Sequence, residues 1–464
     1  MKFGIYKFTL SRYLIFILQL GRGFLLARFL GPFYFGIFGF LLLIQQYLVN
    51  TNFGVNHALN VKLSTKEIDL PTSKSFVYAS LFITTVSSLI FIFIFLICNL
   101  FSIRLFEKYL FSNYFLQICI IVGMQQFQLV FSTIFRVYQK FQLLILIEFI
   151  NIALPLTSLL FYEQLDLLNL YVFLTMFSSC ISFLICIIKS PIKFSFKFNK
   201  FNIYELLIAG IPLMVYNLST YLISLIGRTT VSINYSQEIL GYFSFATSIS
   251  IAIMFGLDTV SWALFPKILN KLKKSVINQQ TVHSVNKITE IYSGINFLII
   301  FSAIVFMPLI FTFLNEYSAM APVLTILLLS QGIIGFSFGF CSLAIARNKQ
   351  NLIAVISFLN VILVLFLCII DFIFMLHYIW VAVIIFIGSL TYTISQILTI
   401  KKNIPLSFGL WKNSTVGLIF SIIIVFIGAI FENFYFLNIV GMSLFLFAYR
   451  NTWKELPRLI KIIF

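Results

Sequence analysis

"YLIFILQLGRGFLLARFLG" (residues 13–31) decides what kind of protein this is. The run is apolar and close to the length of about 20 residues that carries a helix across a hydrocarbon layer of about 30 Å. Two arginines stand inside it. Arg22 falls near the middle, where an arginine costs roughly 2.5–3.5 kcal/mol on insertion scales. Arg28 lies near the outer end, within reach of the interface. Gly21 and Gly23 flank Arg22, thinning the helix and permitting a bend or the close approach of a neighbour. By the helical period, Ser11 and Gln19 share its face. A charge at that depth calls for a wet cavity or a buried carboxylate, and Glu148 and Asp258 are the candidates for the second.

The apolar pattern recurs along the rest of the chain. Of 464 residues, 61% are apolar and 10% charged, and the mean hydropathy is +1.05. A water-facing surface needs far more polar side chain than that. Apolar segments fall at 10–30, 33–56, 76–100, 114–135, 142–162, 167–188, 205–227, 240–265, 291–314, 322–345, 351–374, 378–400, 413–431 and 434–449. The expectation is an all-α polytopic membrane protein with about 14 transmembrane helices, or 12 if two weak segments are re-entrant. The first segment follows lysines as a signal peptide would, but it lacks a small-x-small cleavage site and reads as an uncleaved span.

Charge placement predicts the topology. Alternate loops, together with the chain ends, hold 26 of the 31 basic residues, among them Lys62, Arg136, Lys189, Lys271, Arg347, Lys401 and Arg450. The opposite loops hold Arg104 and Lys108 and seven of the 14 acids: Glu107, Glu163, Asp166, Glu238, Glu316, Asp371 and Glu432. The positive-inside rule then places both termini in the cytoplasm, and an even number of spans agrees with that. The longest loop, about 266–290, is lysine-rich, as suits topogenesis and attraction to anionic head groups. A net charge of +17 distributed in this way argues for membrane lipids and against nucleic acid.

Several chemistries are excluded. The six cysteines all lie in apolar runs and form neither a CxxC pair nor a Cys/His cluster, so no disulfide framework or metal site is suggested. No GxxxxGK[ST] phosphate loop is present and no long loop provides room for a catalytic domain. No cofactor is implied.

Polar residues within the other spans are the remaining candidates. In the seventh span Asn217, Thr220 or Tyr221, Ser224 and Arg228 form one stripe. Asp258 lies in the eighth, and Glu148 in the fifth one turn from Asn151. Either carboxylate would suit ion coupling or the partnering of a buried arginine. Amides on the second span (Gln45, Gln46, Asn50) and the fourth (Gln125, Gln126, Gln128) suit sugar contacts, although such residues often bond helix to helix. "RFLGPFYFGIFGF" (28–40) and "RTTVSINYSQEILGYFSFATS" (228–248) echo each other 200 residues apart. The echo predicts two parallel six-helix bundles, 1–200 and 201–400, around a central cavity, with 401–464 adding a helix pair and a basic tail.

Three blocks carry a resemblance. "ARFLGPFYFGIFGFLLLIQQYLVNTNFGVNHAL" (27–59) is similar to the opening of the Wzx-type polysaccharide-biosynthesis flippases of the multidrug/oligosaccharidyl-lipid/polysaccharide exporter superfamily. "AGIPLMVYNLSTYLISLIGRTTV" (209–231), followed by "ILGYFSFATSISIAIMFGLDTVSWALFPKI" (239–268), looks like that family's G-x-P span, arginine turn and LG-Y span. "YSAMAPVLTILLLSQGIIGFSFGFCSLAIARNKQ" (317–350) looks like its late block. The resemblance implies two bundles alternating around a cationic cavity that takes an undecaprenyl-diphosphate-linked oligosaccharide for O-antigen, capsule or similar synthesis. It implies a multi-pass protein of the bacterial cytoplasmic membrane, with a polysaccharide polymerase and a chain-length regulator as partners. Lipid II flippases of the superfamily match at Arg22 but carry Asp where this chain has Gly23, and many members carry Asp where Gly227 stands.

The resulting expectation is a flippase and not an enzyme. Arg22 would hold the diphosphate, with Arg228 and Arg28 as further contacts, because guanidinium binds phosphate oxygens in pairs. Gln46, Asn50, Gln125, Asn217 and Ser224 would meet sugars, and Asp258 or Glu148 would couple an ion. The alternatives are a lipid II or multidrug/cation exporter of the same superfamily and, further off, a membrane polysaccharide polymerase.

Overall fold

The structure is a computed structural model that describes residues 2–64, 70–160, 164–192, 199–274, 279–347, 349–403, 413–431 and 434–454. Within those stretches, the side chains of 2–10, 12–13 and most of 255–284 lie outside the description, with a few others that include Asn217. Helices follow one another as α1 (Lys2–Val49), α2 (Val55–Ser64), α3 (Leu70–Leu100), α4 (Phe111–Val137), α5 (Phe141–Leu156), α6 (Gln164–Lys189), α7 (Lys200–Asn234) and α8 (Gln237–Lys274). They continue as α9 (Gln279–Phe313), α10 (Ala321–Gly335), α11 (Phe338–Ala346), α12 (Gln350–Phe374), α13 (Ile379–Asn403), α14 (Asn413–Ile430) and α15 (Phe434–Ala448). Among the described residues, nine helical stretches are long and apolar enough to cross a membrane, and two shorter apolar helices accompany them. This is an all-α polytopic membrane protein, as the run lengths predict.

The segments expected at 10–30 and 33–56 meet at a break in α1 at Gly31, whose φ of 65° and ψ of 171° suit only glycine, and three other details differ from the sequence expectation, each for a local reason. Pro32 forces that break by excluding the preceding residue from the α region. The expected 266–290 loop is largely helical, because α8 continues to Lys274 and α9 begins at Gln279. The expected span 322–345 divides into α10 and α11 about Phe336 and Ser337. Asp371, read as an outer-loop acid, lies inside α12 and is fully buried. Apolar residues continue on both sides of it, so the helix does not end there.

The chain divides into two compact units, one of Met1–Leu218 with Ser236–Gly241 and one of Ser219–Tyr235 with Tyr242–Phe464. In the first, α4 packs on α3 and α6, and α1 lies against α4, α5 and α6. Its core joins Val55 and Leu59 of α2 to Val77 of α3, Phe131 and Phe135 of α4 and Leu206 of α7. Lys62 and Glu205 add an ion pair between α2 and α7. Glycine permits one very close approach: a Cβ on Gly36 would lie 1.8 Å from the Gln237 carbonyl oxygen, and one on Gly241 would lie 2.0 Å from that of Pro32. Residues 32–36 and 237–241 therefore touch, backbone to backbone, within the first unit.

In the second unit α10 packs on α9, α13 and α14, and α15 packs on α14 and α9. Glu290 of α9 accepts hydrogen bonds from Ser414 Oγ at 3.2 Å and Thr452 Oγ1 at 2.8 Å, tying α9 to the start of α14 and to the turn beyond α15. Ser293 and Tyr449 share a further hydrogen bond of 3.1 Å beside it.

Candidate functional site: a polar cavity inside the first unit

A cavity of about 280 Å³ opens among α1, α4, α5 and α6, wholly within the first unit. Arg22 and Glu148 both line it. So do the amides Gln19, Gln45, Gln125 and Asn151, the hydroxyls Thr175, Ser178 and Ser179, and Tyr171. Apolar residues such as Phe38, Leu41, Ile118 and Ile121 fill the rest of the wall. Arg22 is half-buried, and its side chain forms part of this polar wall. No atom lies within 4 Å of a Cβ built on Gly21 or Gly23. Among the described residues, the flanking glycines therefore leave open space beside Arg22 and receive no neighbouring helix.

Much of this polar wall is hydrogen-bonded, either across the cavity or to side chains behind it. Gln45 Nε2 donates to Gln125 Oε1 at 2.8 Å, linking α1 to α4. Asn151 Nδ2 donates to Gln128 Oε1 at 3.0 Å and accepts from Ser182 Oγ at 2.9 Å, so one side chain joins α4, α5 and α6. Gln126, fully buried, donates to the Leu48 carbonyl at 3.0 Å and secures the end of α1. Thr175 and Ser178 donate to carbonyls of their own helix, which leaves the oxygen lone pairs facing outward. The site can thus offer a guanidinium, amide donors and hydroxyl acceptors to a phosphorylated or glycosylated group. Among the described residues, no three His, Cys, Asp or Glu side chains gather as a metal site would require.

The other candidates named from the sequence go elsewhere. Arg28 is exposed and is not among the residues of the cavity wall. Gln46 is not among them either; its carbonyl accepts from Asn50 Nδ2 at 2.7 Å at the end of α1. Arg228, 5% exposed, and Ser224 one turn before it belong to the second unit. A Cβ on Gly227 would lie 2.5 Å from Ile385 Cδ1, so α13 packs where the resemblance expects an aspartate. Asn217 and Asp258 sit on α7 and α8, but their side chains are outside the described residues.

Sequence reasoning overlooked Thr175, Ser178 and Ser179. Their spacing within "TMFSSC" (175–180) puts three small hydroxyls on one face of α6, a signal indistinguishable from ordinary packing without the neighbouring helices.

Comparison with known proteins bears on the fold and on the family. The solved structure of a lipid II flippase, MurJ, in an inward closed conformation, is similar over 97% of this chain and 99% of that one, with a TM-score of 0.69 at 16% identity. An inward-facing multidrug resistance transporter of the MATE family and MOP superfamily is similar over 84% of this chain and 94% of that one, with a TM-score of 0.64 at 12% identity. At such identities the likeness speaks for the fold. No curated protein matches the chain. A family model described as polysaccharide biosynthesis protein matches residues 4–270, more than half of the 464, and the chain belongs to that family.

Proposed function

We propose that the protein is a flippase for a polyprenyl-diphosphate-linked oligosaccharide and carries the sugar repeat unit from the inner to the outer leaflet for surface polysaccharide synthesis. The observation that carries this reading is Arg22 in the wall of a polar cavity, in a chain of a polysaccharide biosynthesis family. Guanidinium pairs with phosphate oxygens through two parallel hydrogen bonds, and the attraction strengthens where water is scarce. A volume near 280 Å³ suits a diphosphate and its first sugar, with the remaining sugars beyond it. Gln125 and its neighbours are the proposed sugar contacts here. The proposal further places the protein in a bacterial cytoplasmic membrane with both termini inside. A polymerase and a chain-length regulator would work next to it, and the protein itself would perform no covalent chemistry.

The test is surface glycan in a strain that carries Arg22→Ala. Glycan is expected to vanish while the protein remains inserted, and Arg22→Lys is expected to restore part of it. Normal glycan with Arg22→Ala would remove the basis of the reading.

Glu148 in the same wall favours a second reading, a cationic passenger or a coupling ion. Glu148→Gln separates the two. Loss of drug tolerance with intact glycan supports a cation exporter, whereas loss of glycan together with its dependence on a proton or sodium gradient supports coupling.

A further inference from the structure

A second concavity, of about 590 Å³, lies on the same two helices as the polar cavity. Leu14, Ile17 and Leu18 of α1 face Ile145, Leu146 and Phe149 of α5 across it, with Ser11 and Gln142 also in its wall. The groove is open: Leu14 is 58% exposed, Ile17 61% and Phe149 47%. A smooth lipid-facing helix pair would show ridges here, and this one shows a trough.

Its position is set by the helical period. Ser11, Ile15, Leu18 and Arg22 follow one another at i, i+4, i+7 and i+11, one stripe of α1 that begins in the groove and ends in the polar cavity. On α5, Ile145 and Phe149 of the groove lead to Ile152 of the cavity, and Glu148 and Asn151 lie between them. Apolar groove and polar cavity therefore occupy consecutive turns of the same two helices, with the change from apolar lining to guanidinium falling between Leu18 and Arg22. An amphiphile with an anionic head has its own boundary at the same kind of place. A diphosphate held at Arg22 would set the first carbons of its chain about one helical turn, about 5.4 Å, away beside Leu18.

We propose that the α1–α5 groove seats the polyprenyl chain of the passenger while Arg22 holds its diphosphate. This rests on the proposed function above and adds where the chain goes. Leaving the bilayer for the groove brings no hydrophobic gain, because lipid is as apolar as leucine. The groove would act by shape instead, holding the first segment of chain in one direction so that the head enters the cavity in one orientation.

The experiment uses the full chain in nanodiscs of phosphatidylethanolamine and phosphatidylglycerol, with radiolabelled undecaprenyl diphosphate as the probe. Ile17, Leu146 and, as a lipid-facing control, Leu89 of α3 (58% exposed) are each replaced by photoreactive p-benzoylphenylalanine. Capture at positions 17 and 146 is expected to exceed that at 89 several-fold and to fall to the control level when Arg22→Ala is added. Equal capture at all three positions, or capture indifferent to Arg22→Ala, means that ordinary acyl chains fill the groove, and overturns the proposal. Saturable binding of the probe, displaced by inorganic pyrophosphate, is measured alongside. If binding persists while groove capture stays at background, the groove proposal fails and the flippase reading stands. If binding is absent, both fall. As a second variant, Leu146→Trp is expected to lower capture at position 17 while leaving pyrophosphate displacement unchanged.

Discussion

Gln45 Nε2 donates to Gln125 Oε1 at 2.8 Å, and both amides line the cavity that contains Arg22. Two residues 80 apart in the chain thus hold α1 to α4 and also present their remaining polar atoms to whatever enters. Interhelical hydrogen bonds of this kind average about 0.6 kcal/mol in membrane proteins, up to about 1.7. Gln125→Leu is therefore expected to lower stability by less than about 2 kcal/mol, read as thermal unfolding in detergent. If the amide also meets sugar, glycan export falls further than the stability loss accounts for. Equal loss in Gln45→Leu, Gln125→Leu and the double variant would mark a purely structural pair.

Glycines in this protein divide by what surrounds them. Gly241→Ala would place a methyl 2.0 Å from the Pro32 carbonyl oxygen, part of the backbone, which has little room to yield. Overpacking of this sort typically costs about 1–3 kcal/mol, so a lower unfolding temperature is expected. Gly21→Ala and Gly23→Ala meet nothing within 4 Å and are expected to insert and fold normally, with a gain of up to about 1 kcal/mol in helix propensity. Glycan export that drops in these two well-folded variants would show that the open space next to Arg22 is used by the passenger.

Gln126 is fully buried, and its Nε2 donates to the carbonyls of Leu48 at 3.0 Å and Val49 at 3.4 Å. Those carbonyls close α1, and that of Leu48 also accepts from Thr51 N at 3.1 Å and Thr51 Oγ1 at 2.7 Å. Gln126→Leu is expected to destabilise the first unit by about 0.5–1.5 kcal/mol, the usual net value of such a hydrogen bond, because Thr51 still satisfies the Leu48 carbonyl. Proteolysis near residues 50–54 would report it, and unchanged cleavage there would show that water replaces the amide.

Glu290 fastens α9 to α14 and to the turn after α15 through Ser414 and Thr452. Glu290→Ala is expected to loosen that helix pair, with a loss of about 1.5–3 kcal/mol for hydrogen bonds to a charged group. Crosslinking between cysteines introduced at Ser293 and Thr452 should fall. If it does not, the packing of α15 on α14 and α9, with Phe301, Phe445 and Tyr449 in contact, is enough to hold it.

What the residues determined by themselves is the part that depends on run length and on charge. Apolar stretches long enough to cross a bilayer mark the helices wherever they occur, and Gly31-Pro32 announces the break in α1 without reference to any neighbour. Arg22 likewise stands out, because a guanidinium in hydrocarbon is costly in any fold. Tertiary structure alone decided which polar side chains meet. It put Glu148, Gln45 and Gln125 in one wall with Arg22, sent Arg28 to the surface and Arg228 to the other unit, and buried Asp371 within α12. The reason is physical. Lipid and protein interior are equally apolar, so a helix that is hydrophobic all round carries no stripe to say which face turns inward. That choice is made by the packing of its neighbours.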